Sequence, residues 1–235
     1  MALSPNRAGI DGATKYFVMG LLSTMLILLG IGLLYGVTGV TELTAVAIKV
    51  SEVWASAPSG QASYTILLAI VLLVVAFGFK IGVFPGWMWV PDAYSAADGS
   101  VAAYLAGATK KTGVAAVIRL LFVALLVARY EWTSVVIVVS VLTMTIGNYL
   151  ALGQKSVTRM LAYSSIAMMG YLFMGIAAGT AFGIAAASFH AFVHALMKGG
   201  AFILTCGISL RLKRDVTYDD MAGLGKRSPV VAATF

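Results

Sequence analysis

The stretch ILLAIVLLVVAFGF (66–79) contains no charged residue, and Lys80 follows it directly. Together with its neighbours it forms an apolar segment over 61–84. A helix needs about 20 predominantly apolar residues to cross the hydrocarbon core of a bilayer. This stretch therefore predicts a membrane-spanning helix that carries a lysine close to one end.

The whole chain is similarly apolar. Hydrophobic residues make up 60% of its 235 residues and charged residues 11%, and the mean hydropathy is +0.96. Soluble domains carry about 25% charged residues, so the composition indicates an integral membrane protein. No segment alternates like a barrel strand, which leaves an all-α fold, a polytopic membrane helix bundle. Further spans are predicted at 16–37, 100–128, 132–152, 160–178 and 182–210, and a seventh begins at Val230.

Basic residues are distributed unevenly between the two sides of this predicted bundle. One side carries only Lys49 and Arg129. The other carries nine, namely Arg7, Lys15, Lys155, Arg159, Arg211, Lys213, Arg214, Lys226 and Arg227. Because short loops rich in lysine and arginine stay cytoplasmic, we expect a multi-pass protein of the cell membrane, with a cytoplasmic start (1–15) and one transmembrane domain (16–235). The net charge of +7 is then a topology signal, and nucleic acid is not an expected partner.

The sequence offers no residues for a redox centre. Cys206 is the single cysteine, which excludes a disulfide framework and an iron–sulfur site built from several cysteines. No glycine-rich nucleotide loop is present either. We therefore expect no cofactor in this chain.

Several basic residues lie inside the predicted spans, where a lysine costs about 2.5–3.5 kcal/mol on insertion scales. Lys80 follows the apolar run, and Lys110 and Lys111 lie near the middle of the third span. For Arg119, Arg129 and one of the paired lysines, snorkelling of a long side chain towards a polar surface is a sufficient explanation.

His190, His194 and Lys198 have a spacing of i, i+4 and i+8, which aligns them on one face of a helix. Imidazole titrates near neutral pH, and a lysine removed from water holds its proton less tightly. Bridged by water, such a stripe is typical of a proton relay. Two alternatives remain open: a pair of hydrogen-bonded core histidines, or a metal site, for which no third ligand lies nearby on this helix.

None of the nine acidic residues lies inside an apolar run. Unpaired buried charge is strongly disfavoured. Either the buried lysines are often neutral, or their partner carboxylates belong to a segment outside this sequence or to another subunit. We expect the partner carboxylates on a segment outside this sequence, because the last predicted span stops short.

Pro85 and Pro91 follow Lys80 closely, among Gly78, Gly82 and Gly86. Proline breaks or kinks a helix, and broken helices at membrane depth are tolerated where they line an aqueous cavity. The pattern is compatible with a broken helix beside an ion path and equally with a simple helix end at Pro85.

Several long motifs occur in the same order as in one family. They are KYFVMGLLSTMLILLGIGLLYGVTG (15–39), FKIGVFPGWMWVPDAYSAA (79–97), YLAGATKKTGVAAVIRLL (104–121), GNYLALGQKSVTRMLAYSSIAMMGY (147–171), HAFVHALMKGGAFIL (190–204) and YDDMAGLGKRSP (218–229). Together they resemble the antiporter-like, proton-translocating membrane subunits of respiratory complex I, whose relatives include membrane-bound hydrogenases and Mrp-type cation/proton antiporters.

This resemblance implies part of an inverted-repeat antiporter-like fold, in which protons move through Lys80, Lys110, His190, His194 and Lys198. The spacing to Arg119 assigns the family's second lysine to Lys110 and not to Lys111. The implied partners are other membrane subunits of a redox-driven complex, the lipid bilayer and protons, with Na⁺ as an alternative ion.

Two departures from the family pattern concern one loop. Trp87 stands where the family usually has a histidine, and Ala97-Asp98-Gly99-Ser100 replaces its usual proline-containing turn. The resemblance also implies that helices are missing at both ends, including those with the partner glutamate of Lys80 and the exit residue. We therefore expect an internal fragment of a longer protein, with six complete helices and the start of a seventh.

Three other functions are alternatives to a proton pump. A retinal protein needs an intramembrane carboxylate as counter-ion, which this sequence lacks. A non-conducting scaffold subunit needs only small residues for helix packing. A sodium/proton antiporter is distinguished by a sodium-dependent proton flux.

Overall fold

A computed structural model describes residues 7–56 and 60–234, which form helices and no β-strand. Five helices among the described residues are long and apolar enough to cross a membrane. They are Gly9–Thr38, Gln61–Ile81, Leu126–Leu152, Val157–Ala177 and Ala181–Leu212. The prediction of an all-α membrane helix bundle is confirmed.

Helix α1 (Arg7–Thr38) is longer than the predicted span 16–37. Most of the predicted cytoplasmic start is therefore helical, and residues 1–6 lie outside the described residues. The segment 38–60, which lies between the first two predicted spans, also contains a helix, α2 (Leu43–Ser56). Its residues Val46 and Val50, one turn apart, are buried in the apolar core. One apolar stripe of this kind is enough to fold a helix against its neighbours.

Helix α3 (Gln61–Ile81) contains the decisive apolar stretch and packs against α1. Ser23 of α1 donates a hydrogen bond to the carbonyl oxygen of Ala76 at 2.8 Å. At Gly30, an added Cβ would lie 2.6 Å from the side chain of Leu73, so a small residue allows this close approach.

The predicted third span, 100–128, is helical but is not one regular α-helix. It consists of α5 (Gly99–Tyr104), a π-helical turn (Leu105–Thr109), α6 (Lys110–Arg119), a second π-helical turn (Leu120–Ala124) and a 3₁₀ turn (Leu126–Ala128). In the second π-turn the amide of Leu125 donates to the carbonyl of Leu120, five residues earlier. Such wide turns rotate the residues that follow, and hydropathy alone does not indicate them.

Helices α7 (Arg129–Leu152), α8 (Val157–Ala177) and α9 (Ala181–Leu212) pack side by side. Gly147 approaches α8 so closely that a Cβ would lie 2.6 Å from the amide nitrogen of Ala167. Ser140 donates to the carbonyl of Gly170 at 2.8 Å. Hydroxyl groups and small residues are the usual means of helix packing in membranes, and they hold α8 at the centre of the bundle.

One end of the bundle carries most of its ion pairs. Asp92 contacts both Lys15, at 2.8 Å, and Arg159, at 3.0 Å. Asp215 accepts hydrogen bonds from Ser156 and Thr158 at the start of α8. We call this group, Lys15, Asp92, Arg159 and Asp215, the ion-paired end. Its basic members lie on the side that the sequence assigns to the cytoplasm.

The chain continues through three short helices, α10 (Tyr218–Met221), α11 (Leu224–Arg227) and α12 (Pro229–Thr234). Thr217 and Asp220 form a reciprocal capping box at the start of α10, and Arg214 contacts Asp220 at 2.6 Å. Arg214 thereby holds the pKa of the Asp220 carboxyl at about 2. Helix α12 coincides with the predicted start of a seventh span, while Phe235 lies outside the described residues.

Candidate functional site

Lys110 is completely buried, although it is charged in its ordinary state. It opens α6, directly after the first π-helical turn. Its Nζ donates a hydrogen bond to the hydroxyl of Ser165 on α8 at 3.3 Å and lies 5.2 Å from the ring centroid of Tyr94. A hydroxyl oxygen and an aromatic face are favourable neighbours for a cation, but neither carries a formal charge.

His194, on α9, is the second buried member of the site. Its Nε2 lies 3.3 Å from the hydroxyl oxygen of Ser165, the same atom that Lys110 contacts. Its Nδ1 lies 2.7 Å from Nζ of Lys111. The imidazole therefore connects the two neighbouring lysines, through Ser165 on one side and directly on the other.

Lys198 lies one turn further along α9 and is also buried. Its Nζ donates to the hydroxyl of Ser164 at 2.5 Å. We call Lys110, Lys111, His194 and Lys198, with Ser164 and Ser165, the interior cluster. Two adjacent serines of α8 thus bind the basic side chains of α6 and α9.

His190 lies at the edge of this cluster. Its Nε2 is 3.2 Å from the carbonyl oxygen of Met168, and its ring centroid is 6.3 Å from that of His194. His190 also lines a separate cavity of about 400 Å³ with Tyr171 and Phe189. The predicted stripe on α9 therefore faces α8, but the two imidazoles do not contact each other.

Lys80 does not belong to the interior cluster. Its side chain is exposed and lines a cavity of about 470 Å³. Polar side chains that share this cavity are Tyr16, Ser23, Thr24, Tyr104, Thr109 and Thr112. Among the described residues, no carboxylate lies within ion-pair distance of Lys80.

The break after Lys80 lies earlier than Pro85. Helix α3 ends at Ile81, and Gly82 adopts the left-handed conformation with φ of 80°. The chain resumes as α4 (Trp89–Ala96), with Pro91 in the first turn. Backbone N–H groups of a first turn have no helical acceptor, so the N–H that proline lacks costs no hydrogen bond. Side chains bridge the gap: Trp89 donates to the carbonyl of Phe79 at 2.8 Å.

The broken segment supports Lys110 more directly than Lys80. A Cβ at Gly82 would lie 3.5 Å from Nζ of Lys110 and 2.5 Å from Val90. The ammonium group is therefore close to the carboxyl-terminal end of α3, where the helix dipole favours positive charge. Trp87, which replaces the family's usual histidine, packs against Tyr163 with ring centroids 6.1 Å apart.

Several acidic side chains of the described residues form ion pairs away from the interior cluster. Burial alone would raise the pKa of Asp92, but hydrogen bonds from Lys15 and Arg159 hold it below its usual value. Asp11 pairs with Lys15 and Glu52 with Lys49. Within residues 7–56 and 60–234, no carboxylate makes an ion pair with a lysine of the interior cluster.

The described ranges likewise bring no three His, Cys, Asp or Glu side chains into a group that could hold a metal ion. The nearest polar neighbours of His190 and His194 are a carbonyl, a serine and a lysine. In its ammonium form a lysine is only a donor, so these contacts suit proton exchange better than metal ligation.

Sequence reasoning missed four residues of the site. One of the paired lysines is expected to snorkel, yet both make contacts in the interior cluster, and Lys111 contacts His194. Ser164 and Ser165 were not singled out, although two adjacent hydroxyls in an otherwise apolar helix are a usable signal. Tyr94, whose buried hydroxyl has no hydrogen-bond partner among the described residues, was also overlooked.

The fold and the cluster define a polytopic membrane protein with ionisable side chains in its interior, an arrangement that usually marks an ion pathway. Residues 4–235 match the family described as NADH:quinone oxidoreductase/Mrp antiporter, TM. The chain belongs to this family, and the resemblance found in the sequence is confirmed.

Individual relatives agree with this assignment. NADH-quinone oxidoreductase subunit N of Trichlorobacter lovleyi is 37% identical over 231 residues, covering 98% of this chain and 46% of the relative. F(420)H(2) dehydrogenase subunit N of Methanosarcina mazei is 37% identical over 235 residues, covering 97% and 46%.

Among solved structures, a chain of the membrane-bound sulfane sulfur reductase, an archaeal respiratory membrane complex, superimposes with a TM-score of 0.84 at 26% identity, covering 99% of this chain and 47% of that one. The present chain thus spans just under half the length of the curated relatives it matches.

Proposed function

We propose that this chain is part of a proton-translocating membrane subunit of a redox-driven complex. The observation that carries the proposal is the interior cluster. Lys110 and Lys198 are buried and hydrogen-bonded to the adjacent serines Ser165 and Ser164, and no acid among the described residues pairs with either lysine. His194 contacts the serine that binds Lys110. A lysine held only by a hydroxyl can lose its proton without leaving a carboxylate unpaired. Scaffold packing alone gives no reason for such a group.

In the proposed path, Lys80 receives a proton from its cavity while it is paired with a carboxylate from outside this sequence. Separating that pair removes the charge that favours the ammonium form, and the proton passes to Lys110. From Lys110 it moves through Ser165 to His194 and then towards Lys198, with water as the further carrier. His190 extends the path to the neighbouring cavity. Each transfer moves a positive charge, which couples one site to the next.

The source of energy is proposed from the relatives. They include subunits of a quinone oxidoreductase, an F(420)H(2) dehydrogenase and a sulfane sulfur reductase complex. We propose that the redox centres lie in other subunits and that this chain binds no cofactor of its own. Its partners are neighbouring membrane subunits and the lipid bilayer, and its basic loops face the cytoplasm of the cell.

Cation/proton antiport is the second candidate, because the family includes Mrp antiporters. The interior cluster favours protons over Na⁺, since its buried side chains are hydrogen-bond donors and amines. A sodium site is built from oxygen ligands, and no carboxylate of the described residues pairs with a lysine of this cluster. Proton flux that requires Na⁺ in membrane vesicles would support antiport instead.

The test uses the full-length protein in its assembled complex. Lys80→Ala and Lys110→Ala are expected to abolish proton pumping in membrane vesicles, while assembly, judged by native gels, is retained. Lys155→Ala is the matched control, because Lys155 lies exposed in the loop before α8. Normal pumping in both variants would contradict the proposed function.

A further inference from the structure

Lys111 makes two contacts that a snorkelling side chain would not make. Its Nζ lies 2.7 Å from Nδ1 of His194. The same Nζ donates to the carbonyl oxygen of Ala106, five residues earlier, at 2.5 Å. Ala106 belongs to the first π-helical turn (Leu105–Thr109), so the irregular turn and the lysine that binds its carbonyl form one local unit directed at α9.

The contact with Lys111 determines where the imidazole carries its proton. While Lys111 is an ammonium it is only a donor, so Nδ1 of His194 then accepts. The neutral ring then carries its proton on Nε2, which lies 3.3 Å from the hydroxyl of Ser165. That hydroxyl also contacts Nζ of Lys110. The result is an unbroken chain of hydrogen-bonded groups from Lys111 through His194 and Ser165 to Lys110.

Charge repulsion couples the protonation of the lysines in this hydrogen-bonded chain. Lys110 and Lys111 are adjacent in sequence, Lys198 and His190 lie on the helix that carries His194, and no acid of the described residues pairs with any of them. Two ammonium groups sharing a partly buried site disfavour each other. A proton on Lys110 therefore weakens the hold of Lys111 on its own proton, and the reverse also applies.

We propose that Lys111 carries a transferable proton, as a second lysine of the path beside Lys110, and exchanges it with His194. This inference rests on the proposed function. In the transfer, an N–H bond of Lys111 breaks and an N–H bond forms at Nδ1. The ring then releases its Nε2 proton to Ser165, whose hydroxyl proton passes to the neutral amine of Lys110. One positive charge has then moved from Lys111 to Lys110, and no group is oxidised or reduced. In the direction of the proposed path the same steps run in reverse, and the charge moves from Lys110 to Lys111.

The decisive experiment compares Lys111→Met with Lys111→Arg in the full-length protein within its assembled complex. Methionine keeps an unbranched side chain that is one atom shorter, but it binds no proton. Arginine keeps the positive charge and the donor towards His194 but does not release its proton. If Lys111 carries a proton, both variants lose pumping by at least about tenfold, a modest share of what a positioned proton-transfer group contributes. Lys155→Met serves as the matched control.

The outcomes separate this inference from the proposed function. Pumping by Lys111→Arg at the wild-type rate would overturn the transfer and reduce Lys111 to a residue that orients His194. Wild-type pumping by Lys111→Met would overturn both roles. Lys110→Met is measured in parallel: if it abolishes pumping while Lys111→Met does not, only this inference fails, and if neither variant changes pumping, the proposed function fails as well.

A double variant adds a readout that a merely structural role would not produce. Residues that act as one unit give non-additive effects. Combining Lys111→Met with His194→Gln should therefore lower pumping no further than His194→Gln alone. If the double variant instead loses pumping by the product of the two single losses, the two residues do not share a proton.

Discussion

The ion-paired end and the interior cluster hold their basic residues in opposite ways. At the ion-paired end, Lys15 and Arg159 share the carboxylate of Asp92. In the interior cluster, Lys110 and Lys198 contact serine hydroxyls. An ion pair stabilises the charged state and fixes it, whereas a hydroxyl can accept from an ammonium or donate to an amine. The first arrangement suits a permanent structural contact, and the second suits a group that gains and loses a proton.

The largest effect is expected from giving the interior cluster an acid. Ser165→Asp would set a carboxylate beside Lys110, and an opposite charge at that distance favours the charged form by roughly one to three powers of ten. We expect proton pumping in membrane vesicles to fall by at least about tenfold, with the complex still assembled. Ser165→Asn is the matched control, since it has the same shape without the charge. Equal pumping by Ser165→Asp and Ser165→Asn would show that proton pumping does not depend on keeping an acid out of the interior cluster.

A substitution at Gly82, where α3 ends, tests whether the geometry of the interior cluster depends on this break in the helix. Gly82→Ala places a Cβ at a left-handed residue and 2.5 Å from Val90. The left-handed conformation alone costs roughly 1–2 kcal/mol for a residue with a side chain. We expect a lower melting temperature in detergent and slower pumping, because the loop beside Lys110 must shift.

Gly36→Ala provides the control for this substitution. Gly36 lies within α1, and nothing lies within 4 Å of an added Cβ. Alanine is the better helix former by roughly 1 kcal/mol, so stability should hold or rise slightly. A Gly82→Ala variant as stable as Gly36→Ala would show that the break does not constrain the chain.

These two regions were not equally predictable from sequence. The stripe on α9 followed from its spacing, and two basic residues predicted on the same side, Lys15 and Arg159, do meet at one carboxylate. The partners of the stripe did not, because the contact of Lys198 with Ser164 depends on the register between α8 and α9. Spacing within one helix carries no information about that register.

The paired lysines show a second limit. Consecutive residues of an α-helix point about 100° apart, so at most one of Lys110 and Lys111 was expected to face the interior. Both nevertheless reach the cluster, because they contact different helices: Lys110 contacts Ser165 on α8, and Lys111 contacts His194 on α9. The π-helical turn before them sets which face of α6 the pair presents. The turn has no sequence signature that hydropathy detects. Helix α2 is not predicted either, because at 14 residues it is too short to span a membrane and hydropathy does not single it out.

The smallest effect is expected at the ion-paired end. Asp92→Asn removes both ion pairs, but all three side chains are partly exposed to solvent. Exposed pairs contribute about 0–1 kcal/mol and are screened by salt. We expect a small loss of thermal stability that shrinks as salt is added, and proton pumping equal to that of the wild type.

The pH dependence of this loss has a definite sign. Because its partners hold the pKa of Asp92 below the usual value, its contribution to stability is present above the unfolded pKa of about 3.9 and is lost as the pH falls through the lower folded value. Melting curves of wild type and Asp92→Asn in detergent should therefore differ near neutral pH and converge in acid. A difference that grows in acid, or pumping that fails in Asp92→Asn, would mean that this carboxylate takes part in proton movement and that the contrast between the two regions does not hold.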